Sequence, residues 1–177
     1  LHAPPPFEKA RSVFELNQAS RALLHRFKYR GDETLLAWLS GELEKCYKNQ
    51  FREIKIDCIV PVPLNRWKLI RRGYNQSALL VKALGKSLGL PIDLTNLVRR
   101  YSAKSQVTGS REDRTHRVKE SFELRNFEIF RGKVILLIDD VYTTGATVAA
   151  CAQVLTKVEA RVFVLTLART PLLSRRL

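Results

Sequence analysis

Two adjacent carboxylates, followed by a short run of hydroxyl-bearing residues, are the groups in this sequence best suited to chemistry. Asp139 and Asp140 come after the apolar run Val134 to Ile138 and before residues 143–147, Thr-Thr-Gly-Ala-Thr. Hydroxyls and loop N–H groups donate hydrogen bonds to an anion, and glycine lets the backbone approach a phosphate closely. The acids repel a phosphate, but they suit vicinal hydroxyls or a hydrated Mg²⁺. Together these residue types predict a ribose 5-phosphate site.

The flanking pattern indicates which elements position these groups. The uninterrupted apolar run from Val134 to Ile138 is typical of a strand buried on both faces, and we expect this strand to end before the acids. Apolar residues then recur at helical spacing from Val148 to Val158. A loop that enters a helix presents unpaired N–H groups at the positive end of the helix dipole, which favours an anion. The plain structural alternative is a polar turn in which Asp140 caps the next helix.

The composition predicts a globular chain with a hydrophobic core. Apolar residues make up 45% and charged residues 27% of the sequence, and no apolar run is long enough for membrane insertion. The three cysteines lie apart in apolar surroundings. We therefore expect buried free thiols in a reducing compartment, and no metal-ligand cluster. The chain begins at Leu1 and contains no methionine, from which we expect a processed or truncated chain.

The net charge favours a polyanionic partner. Lysine and arginine total 31 against 17 acidic residues, a balance of +14. Either nucleic acid or a multiply phosphorylated small molecule fits such a charge, and a simply basic surface explains it equally well.

Two segments concentrate the basic residues. Residues 65–86 contain six basic residues and no acid, and we expect Leu64 to Gly73 to form a basic loop after a strand at 57–62. Residues 99–119 carry seven basic residues against two acids and predict a loop that runs into a short helix near 110–119. A basic loop upstream of an anion site suits a lid that shields a charged intermediate from water, although an ordinary solvated loop is the alternative.

The remaining elements follow from caps and periodicity. Residues 1–16 begin with a proline cluster and predict an extended lead-in. Lys28 and Arg30 could reach a phosphate, but the solvated surface is the preferred assignment for both. Asn17, Asp32 and Asn75 are predicted helix caps, and Gly89 closes the third helix. Further strands are expected at 92–98 and 161–168, and a short strand followed by a turn at 121–130.

The central segment resembles the phosphoribosyl-pyrophosphate (PRPP) motif of type I phosphoribosyltransferases. Four apolar residues, two acids, two apolar residues and Thr-Thr-Gly-x-Thr follow in that order, with Tyr142 in place of the usual aliphatic residue. The resemblance implies that Asp139 and Asp140 contact the ribose 2′- and 3′-hydroxyls. It also implies that Mg²⁺ accompanies PRPP and is held near the two acids through water, with no direct protein ligand.

The same resemblance assigns roles to residues outside the motif. The loop after the first core strand would bind pyrophosphate, and the 99–119 loop would fold over PRPP. The implied substrate-binding residues are Thr143, Thr144, Gly145, Ala146 and Thr147 for the 5′-phosphate and Pro63, Leu64, Arg71 and Arg72 for the pyrophosphate. The implied catalytic residues are Asp139, Asp140, Lys104 and Arg114, and Arg99, Gln106 and Arg117 are further candidates to reach across the site.

Several shorter motifs, read together, resemble the ComF competence-protein family. They are Phe-Lys-Tyr-x-Gly at 27–31, Val-Pro-Val-Pro-Leu at 60–64, Arg-Arg-Gly-Tyr-Asn-Gln at 71–76 and Leu-Ala-Arg-Thr at 167–170. Tyr142 fits this family. Arg117 stands where that family commonly has Asn, and the four-cysteine zinc ribbon common in the family is absent from this sequence. The resemblance implies a cytoplasmic protein associated with DNA uptake and its machinery.

We therefore expect an α/β fold of the type I phosphoribosyltransferase kind, a mostly parallel sheet flanked by helices. The expected organisation is a helical N-terminal portion at 1–50 packed on a phosphoribosyltransferase-like domain at 51–177. The leading hypothesis is a protein that binds PRPP, with phosphoribosyl transfer to a nitrogen acceptor left open. The alternatives are a non-enzymatic single-stranded DNA-binding factor, with Trp67 and Tyr74 as stacking faces, a nucleobase salvage enzyme, and a regulator that senses PRPP.

Overall fold

The computed structural model describes residues 4–30, 32–100 and 122–171. The elements are β1 (Lys9–Glu15), α1 (Gln18–Arg30), α2 (Glu33–Gln50), β2 (Cys58–Pro61), α3 (Arg66–Arg72), α4 (Gln76–Leu88), β3 (Leu97–Arg99), β4 (Phe122–Leu124), a 3-10 helix (Phe127–Phe130), β5 (Val134–Tyr142), α5 (Ala146–Thr156) and β6 (Arg161–Arg169). A parallel sheet of strand order β1-β6-β5-β2 forms the centre, with a small antiparallel pair, β3-β4, beside it. The expected α/β fold with a mostly parallel sheet is confirmed.

Strand β5 lies between β6 and β2, and both of its faces are covered. Leu136 and Ile138 pack with α1, α2 and α4 on one face. Ile135 and Leu137 pack with α5, β4 and the 3-10 helix on the other. Because side chains alternate along a strand, an uninterrupted apolar run is what a strand buried on both faces requires.

Strand β5 is longer than expected, since it runs through the acids to Tyr142. The expectation that it ends before the acids is wrong. Its neighbour β6 continues alongside it and pairs Asp139 with Thr166 and Tyr142 with Arg169. The acid pair is therefore held by a backbone ladder and not by a free turn.

The N-terminal segment contributes a strand where a lead-in was expected. Strand β1 pairs in parallel with β6, and the Ser12 and Thr166 hydroxyls are hydrogen-bonded across the pair at 2.7 Å. Residues 1–50 thus supply an edge strand as well as α1 and α2, whose buried faces join the core. The division of the chain at residue 50 stays a prediction.

The expected loop at 64–73 contains helix α3, so that part of the interpretation is wrong. The Asn65 side chain accepts the Trp67 N–H at 3.0 Å and begins the helix. Gly73 ends it in the left-handed conformation, φ 79°, with its N–H bonded to the Leu69 carbonyl at 2.7 Å. A cap residue at each end stabilises a helix too short to persist by propensity alone.

The strand expected at 92–98 is largely absent, since β3 begins only at Leu97. Asp93 is the reason, because its carboxylate accepts the backbone N–H groups of Thr95 and Asn96 at 3.0 and 2.7 Å and holds a turn. Ile92 makes only an isolated bridge to Ile59.

The expected helix caps and two of the three expected buried thiols are confirmed. The caps at Asn17, Asp32 and Asn75 and the closing Gly89 are present. Cys58 and Cys151 are buried free thiols, whereas Cys46 is only half-buried. Among the described residues, every helix is too short or too polar to cross a membrane, and no three His, Cys, Asp or Glu side chains are grouped to hold a metal. The helix expected near 110–119 lies outside the described residues.

Candidate functional site

The acid pair lies at the C-terminal end of β5, at the edge where the parallel strands end together. The Val62 N–H, just beyond β2, donates to the Ile138 carbonyl at 2.9 Å, so the segment after β2 begins beside the acids. The Thr170 N–H, just beyond β6, donates to the Tyr142 carbonyl at 2.9 Å. Ligands of parallel α/β sheets bind at this edge. The sheet therefore brings together the acid pair, residues 143–147 and the segment that starts at Pro63.

Asp139 is held from two sides. The hydroxyl of Ser77, in the first turn of α4, donates to Asp139 Oδ1 at 3.1 Å, and the Asp140 N–H donates to the same oxygen at 2.9 Å. Burial and, next, the neighbouring charge of Asp140 raise the pKa of Asp139 from 3.8 to about 7. A buried carboxylate beside a second negative charge lowers the stability of the fold. Functional sites typically keep such groups in spite of that cost.

Asp140 forms an ion pair with Lys28. The Lys28 Nζ lies 2.8 Å from Asp140 Oδ2, and the two side chains are only 23% and 16% exposed. The assignment of Lys28 to the solvated surface is wrong, because the last turn of α1 lies over the end of β5. Lys28 lies near the acids because of how α1 packs on the sheet. The periodicity of the sequence does not reveal that packing.

The end of α1 is bound to the segment that joins α3 to α4. The Tyr74 hydroxyl donates to the Phe27 carbonyl at 2.9 Å, and Gln76 Nε2 donates to the Lys28 carbonyl at 3.4 Å. Arg72 donates to the Tyr29 hydroxyl at 3.3 Å and lies over the Tyr29 ring, 5.0 Å from its centroid. The motifs at 27–31 and 71–76 are therefore parts of one structure.

Residues 143–147 form the turn into α5. Gly145 occupies the cap position with φ 77° and makes no side-chain cap bond, so the interpretation of Asp140 as the helix cap is wrong. Thr144 accepts the Ala146 N–H at 3.3 Å, and Thr143 and Thr144 are exposed. The loop presents hydroxyls at the N-terminus of a helix, as an anion site requires.

The remaining candidates stand as follows. Pro63 and Leu64 are half-buried just beyond the end of β2. Arg71 is exposed, whereas Arg72 bonds to Gln76 Oε1 at 3.0 Å. Arg99 packs its guanidinium over the Phe122 ring at 5.3 Å. The candidates outside the described residues are Lys104, Gln106, Arg114 and Arg117.

Replacing Asp139 by Asn should stabilise the protein in a pH-dependent way. The folded pKa lies above the unfolded value, so the stability that Asp139 contributes below about pH 4 is lost as pH rises through about 7. We expect Asp139→Asn to raise the free energy of unfolding by about 1–3 kcal/mol at pH 8, and by almost nothing at pH 4. Denaturant titrations at both pH values measure the difference.

Asp93→Asn is the control for removing one negative charge from a basic protein, because the asparagine side-chain carbonyl can still accept the turn hydrogen bonds that Asp93 accepts. If Asp139→Asn stabilises the protein equally at both pH values, or destabilises it at pH 8, the raised pKa of Asp139 in the folded protein would be contradicted.

Gly145→Ala should lower the free energy of unfolding more than Gly132→Ala, although both glycines have a left-handed backbone. Gly145 and Gly132 both have positive φ, 77° and 66°. A Cβ on Gly145 would overlap the Tyr142 hydroxyl and ring, whereas a Cβ on Gly132 meets nothing within 4 Å. We expect Gly132→Ala to cost about 1–2 kcal/mol from the left-handed backbone and Gly145→Ala distinctly more. Equal losses in denaturant titrations would show that Tyr142 does not constrain the loop.

The part of the chain that contains this site is similar to known proteins. A family model described as a phosphoribosyl transferase domain matches residues 74–171. The solved structure of adenine phosphoribosyltransferase from Saccharomyces cerevisiae is similar with a TM-score of 0.50 and 21% identity, over 77% of this chain and 71% of that one. The corresponding enzyme from Thermoanaerobacter pseudethanolicus gives a TM-score of 0.50 and 16% identity, over 78% and 82%. At such identities these likenesses show the fold alone.

Curated relatives match at higher identity. Competence protein F of Haemophilus influenzae is 30% identical over 164 residues, which cover 89% of this chain and 70% of that protein. DNA utilization protein YhgH of Escherichia coli K12 is 32% identical over 159 residues, which cover 88% of this chain and 69% of that protein. Competence protein ComFC of Bacillus subtilis is 31% identical over 147 residues, and this chain spans 57% of its length. Since the region matched by the family model includes the acid pair and the relatives match most of this sequence, the chain belongs to the ComF family of phosphoribosyltransferase-type proteins.

Proposed function

We propose that this chain binds a phosphoribosyl ligand of the PRPP class at the end of β5. Asp139 and Asp140 accept the ribose hydroxyls, and residues 143–147 receive the 5′-phosphate. The observation that carries the proposal is the acid pair itself, half-buried at the end of a central strand and directly followed by a glycine turn into a helix. Burying two adjacent carboxylates costs stability, and a ligand that donates hydrogen bonds to both offsets that cost.

The segment after β2 is the proposed pyrophosphate side of the site. Val62 is bonded to β5, so Pro63 and Leu64 begin next to the acids. The exposed Arg71 supplies a charge that a diphosphate requires, and Arg72 is held near the site by Tyr29 and Gln76.

The Mg²⁺ that accompanies PRPP fits the donor chemistry of the site. Mg²⁺ in proteins keeps several of its waters and is bound beside carboxylates and ligand phosphates, so the two acids can hold a hydrated ion through its waters. When bound, the ion would neutralise charge on the diphosphate.

The proposed reaction is phosphoribosyl transfer to a nitrogen acceptor, with diphosphate as the leaving group. The carboxylates lie where positive charge would develop on the ribose, and basic residues would stabilise the departing diphosphate. Lys104 and Arg114 keep their proposed catalytic roles. The names of the relatives, competence and DNA utilization proteins, support a role in handling incoming DNA. A cytoplasmic location and partners in DNA uptake are further parts of the proposal.

Titration calorimetry with PRPP, with and without Mg²⁺, tests the site. The double variant Asp139→Ala/Asp140→Ala should lose at least tenfold in affinity while still unfolding in one cooperative transition, since the apolar residues of β5 that precede the acids keep their packing on both faces. Glu123→Ala/Glu128→Ala is the matched control, because those two side chains are 43% and 59% exposed. Unchanged affinity in the Asp variant would rule out this site.

A second candidate function, single-strand binding, is favoured by the surface of α3. This helix has no buried residue, and Trp67 and Ile70 are 68% and 64% exposed. Arg66, Lys68 and Arg71 are exposed around them. Positive charge beside an exposed aromatic ring suits a single strand, whose bases stack while its phosphates release counterions. Tyr74 is half-buried and bonded to Phe27, so we assign it to packing and not to stacking.

Anisotropy of a labelled oligothymidine over a salt series measures this binding. We expect affinity that falls steeply with salt, and a loss of about 5- to 150-fold in Trp67→Ala, the range for one stacked base. Trp38→Ala is the control, since Trp38 is 48% exposed but stacks on Phe14 with ring centroids 5.7 Å apart. No binding at low salt, or equal losses in both variants, would exclude α3 as the surface.

A further inference from the structure

Lys28 differs from the other lysines that form ion pairs in the described part of the chain. Its side chain is 23% exposed and contacts an acid that is 16% exposed. Lys48, which pairs with Glu44 on α2, is 61% exposed, and Lys45, which pairs with Glu42, is 72% exposed. Exposed pairs of that kind contribute little to stability and adapt freely to solvent. The Lys28 ammonium is instead withdrawn into the acid-pair site.

The fold fixes the place from which Lys28 reaches Asp140. The preceding residue, Phe27, is 2% exposed in the core. Its carbonyl accepts the Tyr74 hydroxyl, and the Lys28 carbonyl accepts Gln76 Nε2. Gln76 is itself 1% exposed and bonded to Arg72. The backbone on both sides of the Lys28 side chain is thus tied to the start of α4, the helix whose Ser77 holds Asp139.

The acid-pair site contains two carboxylates and one paired lysine. Asp139 and Asp140 bring two carboxylates, whereas Lys28 is the cation paired with Asp140. An ammonium has three N–H donors, and the contact with Asp140 Oδ2 uses one of them. The remaining donors suit an anionic oxygen of a ligand that lies against the same carboxylate.

The chemistry of ribose says where such an oxygen would be. The 2′-hydroxyl is on the carbon next to C1, so a ribose whose diol contacts Asp140 carries its C1 substituent within a few ångströms of that carboxylate. A diphosphate at C1 would therefore lie within reach of the Lys28 ammonium. Ribose 5-phosphate, which has only a hydroxyl at C1, offers no charge there.

We infer that Lys28 is a specificity-determining residue that selects ribose ligands with a diphosphate at C1, by supplying a resident cation between that group and Asp140. The inference rests on the proposed phosphoribosyl site and deepens it. It implies that the protein itself performs part of the charge neutralisation that Mg²⁺ performs on the ligand.

Calorimetric titration of PRPP and of ribose 5-phosphate, each in EDTA and in Mg²⁺, tests the inference. In EDTA, Lys28→Met should lose at least tenfold in affinity for PRPP and less than threefold for ribose 5-phosphate, and Mg²⁺ should restore part of the PRPP affinity. Lys28→Arg keeps the cation and should stay within about threefold of the original protein. Lys48→Met, which removes an exposed ion pair, should change neither affinity.

The outcomes separate the inference from the proposed function. Failure of the unsubstituted protein to bind either ligand would overturn the phosphoribosyl site. If that protein binds PRPP and Lys28→Met binds it equally well in EDTA, the selective role of Lys28 is overturned. Equal losses for both ligands would also overturn it, because they would mean that Lys28 only holds Asp140 in place. Thermal unfolding of each variant, with Lys28→Arg as the folded reference, guards against loss of the fold.

Discussion

The structure depends on one electrostatic constraint, the presence of two adjacent carboxylates at the end of its central strand. Strand β5 is covered on both faces and paired on both sides, so its backbone carries Asp139 and Asp140 to the sheet edge with little freedom to move. Ser77 from α4 and Lys28 from α1 then supply the polar partners that the acids need. Helices α1 and α4, from different parts of the chain, therefore both contact the end of β5 and supply partners to the acids.

This constraint explains why separate short motifs of the family occur together. Tyr74 and Gln76 bind the backbone of α1 at Phe27 and Lys28, and Arg72 packs on Tyr29. The motif at 71–76 thus positions the motif at 27–31, which in turn positions a cation on the acid pair. Helix α1 takes part in the site and is not merely packed beside it.

Sequence patterns predict the parts of this protein that local physics decides. The apolar run of β5, the caps at Asp32 and Asn75 and the glycine turn into α5 follow from residue type and spacing. The extension of β5 past the acids was missed because it depends on pairing with β6, and β1 was missed because its place at the sheet edge is decided by the same partner. The Lys28–Asp140 pair joins residues more than a hundred positions apart, so only the packing of α1 reveals it.

A crystal structure of the protein with PRPP bound tests the central claim most directly. We predict that the ribose 2′- and 3′-hydroxyls lie within hydrogen-bond distance of the Asp139 and Asp140 carboxylates, with the 5′-phosphate on the N–H groups and hydroxyls of residues 143–147. A ligand bound elsewhere, with the Ser77–Asp139 and Lys28–Asp140 contacts unchanged and no ribose beside them, would contradict the account.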